Sequence, residues 1–253
     1  MKETYEKHEL TIAIILIVIY SIGQSFATTV NGLIGIDYSA NAIFNILLTV
    51  GLLVFIKAKG LTKRYGLCRP TATASAFLFF IPLIIISSGN LWNGVGINFP
   101  LTEMICYITY MLCVGFVEEI LFRGMLFKAL AKDNVKLAIV ISSVTFGLGH
   151  IINLINGVSS DIIESVSQII GAISLGFLFV VIMYRGGSIL PCIITHSAID
   201  VASAFANMDG FTPQKRMIFC LVKLVITVAY TVILTKTLPK AENGVMQTKV
   251  EQA

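Results

Sequence analysis

Eight long apolar segments make up most of the chain and leave only short polar connections between them. Each is long enough, or nearly so, to cross a hydrocarbon core of about 30 Å at about 1.5 Å per helical residue. In hydrocarbon, backbone groups find hydrogen-bond partners only within a helix or a closed barrel. We therefore predict an all-α fold, a polytopic membrane helix bundle of about eight transmembrane helices. The predicted segments are 10–30, 41–57, 74–89, 103–131, 136–156, 161–184, 189–207 and 216–238.

Composition excludes the other common classes of protein. Of the 253 residues, 56% are hydrophobic and 13% are charged, whereas a soluble domain carries about 25% charged residues. Disordered chains are polar and rich in charge. A transmembrane β-barrel shows short alternating segments, which this sequence lacks. We expect the lipid bilayer as a partner and no nucleic acid.

The basic residues indicate how the bundle is oriented. With the N-terminus inside, 15 of the 18 Lys and Arg residues lie on the cytoplasmic side, and the outside loops hold only Lys215 and Arg216. Because basic residues concentrate in cytoplasmic loops, we predict that both termini are cytoplasmic. We treat 1–253 as a single integral membrane domain that ends in a cytoplasmic polar tail, 239–253. We expect a multi-pass protein of a bacterial cell membrane.

Two segments depart from a simple span. The 74–89 segment contains Pro82, which predicts a kink or a tilt. The 103–131 segment is too long for one crossing. We predict that its last turns leave the bilayer as an amphipathic extension around Lys128 and Lys132.

The second half of the chain carries ionisable residues inside its apolar segments, whereas the first three segments carry essentially none. Each such group costs at least about 2.5–3.5 kcal/mol at mid-depth on insertion scales, so these residues are candidates for function. Counted along the helices from the predicted cytoplasmic turns, four of them lie at similar depths of roughly 15–24 Å. These four are Glu118, His150, His196 and Asp200, and Glu119 and Arg123 follow the first of them closely.

The spacing of these residues predicts which side chains share a helix face. Residues four apart lie on the same side of a helix. A carboxylate beside a histidine in a low-dielectric pocket can take a proton from water, and a second histidine with a polar neighbour can stabilise an oxyanion. The residues therefore predict hydrolysis of an amide by water. The pairs spaced in this way are Glu119 with Arg123, Phe146 with His150, and His196 with Asp200.

Three short motifs carry a resemblance to a known family. They read E-E-x-x-x-R from Glu118 to Arg123, F-x-x-x-H from Phe146 to His150, and H-x-x-x-[N/D] from His196 to Asp200. In this order and spacing they resemble the CPBP family, the CAAX-protease and bacteriocin-processing (Abi-type) intramembrane proteases, a group of metalloprotease or glutamic-endopeptidase type. The resemblance covers residues 103–207, which we predict to be a CPBP-like catalytic core.

The resemblance implies a glutamate-dependent endopeptidase that cleaves a peptide or a membrane protein. Such an enzyme would act in CAAX-type processing, in bacteriocin maturation or in self-immunity. By this likeness Glu118 is the base and His150 is its partner on the water. His196 and the residue at position 200 line the oxyanion site. Supporting roles fall to Glu119, Arg123 and Phe146.

Position 200 departs from the family pattern, which often has Asn there. An ionised Asp200 would hold His196 as a cationic oxyanion donor, whereas a protonated Asp200 would itself donate, as the amide of Asn does. We favour the protonated form because a bare carboxylate beside a developing oxyanion is repulsive.

Two alternatives remain open. The first is a zinc site in place of a site without a cofactor. Glu118, His150 and His196 could bind Zn²⁺ and leave one position open for water. The zincin motif H-E-x-x-H is absent. The second alternative is a non-catalytic membrane scaffold or immunity protein that binds a peptide or a transport substrate. Transporter folds usually carry an internal repeat, and none is visible here.

Overall fold

The computed structural model describes residues 2–152 and 162–239. This part of the chain is helical apart from its connecting turns and one isolated antiparallel bridge between Val95 and Ala206. The helices are α1 (Lys2–Lys7), α2 (Glu9–Ile34), α3 (Ser39–Ala58), α4 (Ile81–Ser87), α5 (Leu101–Glu119), α6 (Lys128–Leu130), α7 (Val135–Gly149), α8 (Ile162–Gly186), α9 (Leu190–Ser203) and α10 (Pro213–Thr237). Two 3₁₀ turns, Ala74–Phe80 and Ser88–Leu91, flank α4, and a π-helix, Ile120–Phe127, joins α5 to α6.

The predicted membrane bundle is confirmed. Six helical stretches in the described residues are long and apolar enough to cross a membrane, and α7 and α9 are shorter apolar helices. The count of eight is therefore approximate. Large apolar side chains such as Ile22, Leu47 and Val225 are exposed on the outer surface of the bundle, as expected for side chains that face lipid. The predicted segment ends at 156 and 161, and the tail from 240 onward, lie outside the described residues.

Helix α5 lies at the centre of the bundle and positions the residues discussed below. It packs against α3 on one side and α9 on the other, and its π-helical continuation touches α2 and α7. At Gly115 a Cβ atom would lie 2.7 Å from the backbone nitrogen of Ser197. The missing side chain therefore lets α5 and α9 approach closely.

Gly147 gives the same kind of contact between α7 and α8, where a Cβ would lie 2.9 Å from the nitrogen of Ile173. These two glycines therefore allow α5 to approach α9 and α7 to approach α8. The packing of α5 against α9 and of α7 against α8 thus forms the frame of the site.

The end of the 103–131 segment differs from the expectation of an amphipathic extension. All eight residues of the π-helix Ile120–Phe127 are buried. The connection after α3 covers them, since Tyr65 packs against Gly124. Lys132 remains exposed, and its Nζ lies 2.8 Å from Oε2 of the buried Glu9. The π-helical turns therefore pack against α2 and the connection after α3, which hydropathy cannot show, whereas the end of the segment has the buried Ala129 and Ala131 beside the exposed Lys132.

The 74–89 segment is broken, in agreement with the prediction of a kink. Leu78, Phe79 and Phe80 have positive φ angles of 49°, 53° and 59°. Helix α4 begins directly after them, with Pro82 in its first turn. Proline is tolerated there because the first turn of a helix needs no backbone N–H donor. The break therefore precedes the proline and does not lie at it.

Candidate active site

His196 on α9 lies at the centre of a cluster of carboxylates. Its Nδ1 donates to Oε1 of Glu119 at 2.9 Å, because a carboxylate can only accept in such a contact. Its Nε2 lies 3.4 Å from Oδ2 of Asp200 and 3.7 Å from Oε2 of Glu118. Three carboxylates from two helices thus surround one imidazole ring.

Glu119 and Arg123 form the buried floor of the cluster. Nη1 of Arg123 donates to Oε1 of Glu119 at 2.9 Å, and both side chains are fully buried. The guanidinium also lies over the ring of Phe146, with 3.8 Å between Cζ and the ring centroid. This is a cation–π contact. Among the described residues, Oε2 of Glu119 and Nε and Nη2 of Arg123 have no hydrogen-bond partner.

Glu118 is placed differently from the glutamate that follows it. Its Oε1 accepts a hydrogen bond from the hydroxyl of Tyr20 on α2 at 2.7 Å. The side chains of Glu118 and Asp200 are 16% and 24% exposed, whereas that of Glu119 is 0% exposed. Two of the three carboxylates therefore remain accessible, and the third is enclosed with Arg123.

His150 lies at the end of α7 and joins the cluster through an aromatic ring. Its Nδ1 lies 3.2 Å from the carbonyl oxygen of Phe146. The carbonyl accepts, so the hydrogen is on Nδ1 and the neutral ring carries its lone pair on Nε2. The Phe146 ring lies edge-on to both histidines, 5.4 Å from His150 and 5.5 Å from His196 between ring centroids.

The structure thus brings the six ionisable residues singled out from the sequence into one region. Five of them form a connected set of polar contacts, and His150 adjoins this set through Phe146. The five are Glu118, Glu119, Arg123, His196 and Asp200.

The three side chains named as zinc ligands lie in the described part of the chain. Within residues 2–152 and 162–239, no group of three or more His, Cys, Asp or Glu side chains is arranged to hold a metal ion. The proposed zinc ligands Glu118, His150 and His196 therefore do not form a ligand set in this arrangement.

Sequence reasoning missed the contribution of the first spans. Tyr20 reaches Glu118 from α2, and Gln24 and Asn45 lie behind it. A signal was present, since polar residues in apolar helices are rare and Tyr20 and Gln24 are spaced four apart. It was missed because only ionisable residues were considered. The bond from His196 to Glu119 was missed as well, because only Asp200 shares a helix face with His196.

Comparison with known proteins identifies the segment that carries the motifs. Residues 100–202 match the family model described as type II CAAX prenyl endopeptidase, Rce1-like. No curated protein and no solved structure matches the chain. The match covers every residue of the three motifs and nearly all of the 103–207 region singled out from the sequence. The resemblance to CAAX proteases is confirmed, since this segment of the chain is similar to the Rce1-like CAAX endopeptidases.

Proposed function

We propose that this protein is an intramembrane endopeptidase in which Glu118 activates the attacking water. The proposal rests on one observation, which is that two adjacent glutamates differ in their partners and in their exposure. Glu119 is neutralised by Arg123 and fully buried. Glu118 has a tyrosine hydroxyl at 2.7 Å and His196 at 3.7 Å, and it stays partly exposed. A carboxylate placed in this way keeps an oxygen available for a proton.

The first step follows from these positions. In the proposed step, the oxygen of a water held between Glu118 and His150 attacks the carbonyl carbon of the scissile peptide bond. A carbon–oxygen bond forms while one proton of the water moves to Glu118. Nε2 of His150 accepts a hydrogen bond from the same water, because the hydrogen of the neutral ring is held on Nδ1 by the Phe146 carbonyl.

The carbonyl oxygen becomes an oxyanion and needs donors. A doubly protonated His196 has one N–H bound to Glu119 and directs the other, on Nε2, toward the oxyanion. A protonated Asp200 adds a second donor, since its carboxyl group lies 3.4 Å from the same nitrogen. Such preorganised donors contribute strongly to catalysis in a site with little water.

The second step releases the products. The oxyanion re-forms a carbonyl, the carbon–nitrogen bond breaks, and Glu118 returns its proton to the leaving amine. No bound group is consumed, and the base is ready for another water. The acid and the base are the same carboxylate, as microscopic reversibility allows.

We further propose that the substrate is a lipid-modified or membrane-inserted peptide segment. Support comes from the family description, CAAX prenyl endopeptidase, and from the location of Glu118 in a helical stretch that is long and apolar enough to cross a bilayer. Processing of a bacteriocin leader is a second possible use of the same site. Its support is the resemblance of the motifs.

The test is cleavage by the purified protein in liposomes, with a quenched fluorescent peptide that carries a prenylated CAAX end. Glu118→Gln keeps the shape of the side chain but removes the base, so we expect the rate to fall about 10²–10⁴-fold. His150→Ala should also lose activity. Glu103→Gln is the matched control, since Glu103 lies in the first turn of the same helix, and it should cleave normally.

A full rate in Glu118→Gln would contradict the proposed mechanism. If the wild-type protein cleaves neither this peptide nor a panel of membrane-inserted peptides, the non-catalytic scaffold becomes the better interpretation. Retention of cellular function in Glu118→Gln would point the same way.

A further inference from the structure

The first two spans contain a chain of polar side chains that the mechanism above does not use. Gln24 on α2 contacts two asparagines of α3. Its Oε1 accepts from Nδ2 of Asn45 at 3.0 Å and from Nδ2 of Asn41 at 3.1 Å. Both asparagines are buried, with exposed fractions of 0% and 2%. The bonds cross between two helices that are long and apolar enough to span a membrane.

The far end of the chain is held by the backbone. Nδ2 of Asn31 donates to Oδ1 of Asn41 at 2.5 Å, and Oδ1 of Asn31 accepts from the backbone nitrogen of Ala40 at 2.8 Å. Ala40 lies in the first turn of α3, where backbone N–H groups have no partner within the helix. The amides are therefore fixed relative to the turn that joins α2 to α3.

These contacts determine which way the amide of Gln24 faces. Two donors occupy its oxygen, so its NH₂ group is left to donate, and one of its acceptors is Oδ1 of Asn45 at 3.4 Å. That group lies 3.0 Å from the hydroxyl oxygen of Tyr20 and donates to it. Since the Tyr20 oxygen already accepts from Gln24, its own hydrogen is directed to Oε1 of Glu118, 2.7 Å away.

We propose that Tyr20 is a positioning residue for Glu118, and that the chain of amides on α2 and α3 holds it in that role. The proposal rests on the proposed function, because positioning matters only if Glu118 is the base. Oε1 of Glu118 is held on the α2 side while Oε2 stays 3.7 Å from Nε2 of His196. The hydroxyl thereby keeps the carboxylate from closing onto the imidazole.

Loss of the hydroxyl has a specific consequence. Without a donor on α2, the Glu118 carboxylate is free to turn toward His196 and form a close ion pair. That pair would occupy both the base and the oxyanion donor. A hydrogen bond that only joined helices would act differently, since such bonds change the unfolding equilibrium of membrane proteins only about threefold on average and leave the chemistry intact.

The experiment compares Tyr20→Phe with Tyr230→Phe. Tyr230 on α10 is also buried, and its hydroxyl donates to the Phe77 carbonyl at 2.7 Å, so each change deletes one buried hydroxyl. In Tyr20→Phe we expect kcat to fall roughly 10- to 100-fold, the effect of losing one hydrogen bond to a charged group, with KM unchanged. In Tyr230→Phe we expect kcat to stay within about twofold of wild type.

A second measurement does not depend on activity. A double-mutant cycle on unfolding combines Tyr20→Phe with Glu118→Leu. Direct contact predicts that the two changes couple by at least about threefold in the unfolding equilibrium constant. Strictly additive effects would overturn the proposal, even if the protein shows no peptidase activity.

The two proposals can fail separately. If Glu118→Gln abolishes cleavage and Tyr20→Phe keeps its kcat within about twofold of wild type, the positioning role is wrong and the proposed function stands. Equal losses of kcat in Tyr20→Phe and Tyr230→Phe would also overturn the positioning role. If the wild type does not cleave, the proposed function fails, and the coupling between Tyr20 and Glu118 alone decides whether the tyrosine holds the carboxylate.

Discussion

Glu9 and Glu118 are both carboxylates held between helices, but their surroundings are balanced differently. Oε2 of Glu9 lies 2.5 Å from Nη2 of Arg64 and 2.8 Å from Nζ of Lys132. Its Oε1 accepts from the hydroxyl of Tyr65 at 3.1 Å. Both oxygens thus have donors, and two cations face a side chain that is 1% exposed. We call Glu9, Arg64, Tyr65 and Lys132 the basic-face cluster.

The cluster around His196 is balanced differently, since Arg64 also pairs with Glu6 at 3.3 Å and brings the charges at Glu9 close to neutrality. Three carboxylates share one guanidinium and one imidazole, and two of the carboxylates are partly exposed. A surplus of acidic groups in a buried place is costly to keep and is typical of sites that transfer protons. The comparison indicates that the basic-face cluster joins helices, whereas the central cluster keeps a proton acceptor available.

The largest effect is expected when Arg123 is replaced, and the same change at Arg64 serves as the comparison. Arg123→Ala leaves Glu119 buried without its cation, at a cost of about 3–5 kcal/mol, and we expect little folded protein. Arg64→Ala leaves Glu9 paired with Lys132 and costs about 1 kcal/mol or less, because Arg64 is partly exposed. Size-exclusion profiles and thermal unfolding in one detergent measure both. Equal losses of stability would remove the distinction between the clusters.

A second pair of variants separates the effects on stability from the effects on activity. Glu9→Gln removes a charge that two cations need, so we expect a loss of about 1–3 kcal/mol in the free energy of unfolding with kcat retained. Glu118→Gln removes one carboxylate from a surplus, so we expect unchanged or higher stability together with lost cleavage. The melting temperature and the rate are measured on the same preparations. A change in the same direction for both variants would argue against the comparison.

Two variants of Asp200 are expected to change the activity less, and they distinguish its protonated form from its ionised form. Asp200→Asn relieves the surplus of acidic groups and keeps a donor beside His196, so activity should stay within about tenfold of wild type. Asp200→Leu removes the donor and should cost about 10²–10³-fold, as the loss of one oxyanion donor does. Steady-state kinetics of the two variants decide. Inactive Asp200→Asn would show that the carboxylate acts in its ionised form to support His196.

The smallest effect is expected from chelation. A surplus of carboxylates could also serve a metal ion, but the described residues provide no group of ligands arranged for one. We therefore expect EDTA or phenanthroline to leave the rate unchanged in liposomes. Loss of activity that Zn²⁺ restores would contradict this and return Glu118, His150 and His196 to the role of zinc ligands.

Several features of the site were already determined by local geometry. The contact between Glu119 and Arg123 follows from their spacing of four on a helix, and so does that between His196 and Asp200. The similar depths of Glu118 and His196 follow from the constant rise of a helix. The all-α fold follows from the length of the apolar segments, because a backbone in lipid must satisfy its own hydrogen bonds.

Contacts between helices were decided only by the tertiary structure. Nothing in the spacing along α9 shows that Nδ1 of His196 turns to Glu119, or that Tyr20 on a distant span reaches Glu118. The π-helix after Glu119 was also unpredicted, since hydropathy cannot distinguish it from α-helix. The physical reason is that sequence spacing determines the face of a single helix. How helices rotate and close on one another depends on small residues such as Gly115, where α5 meets α9.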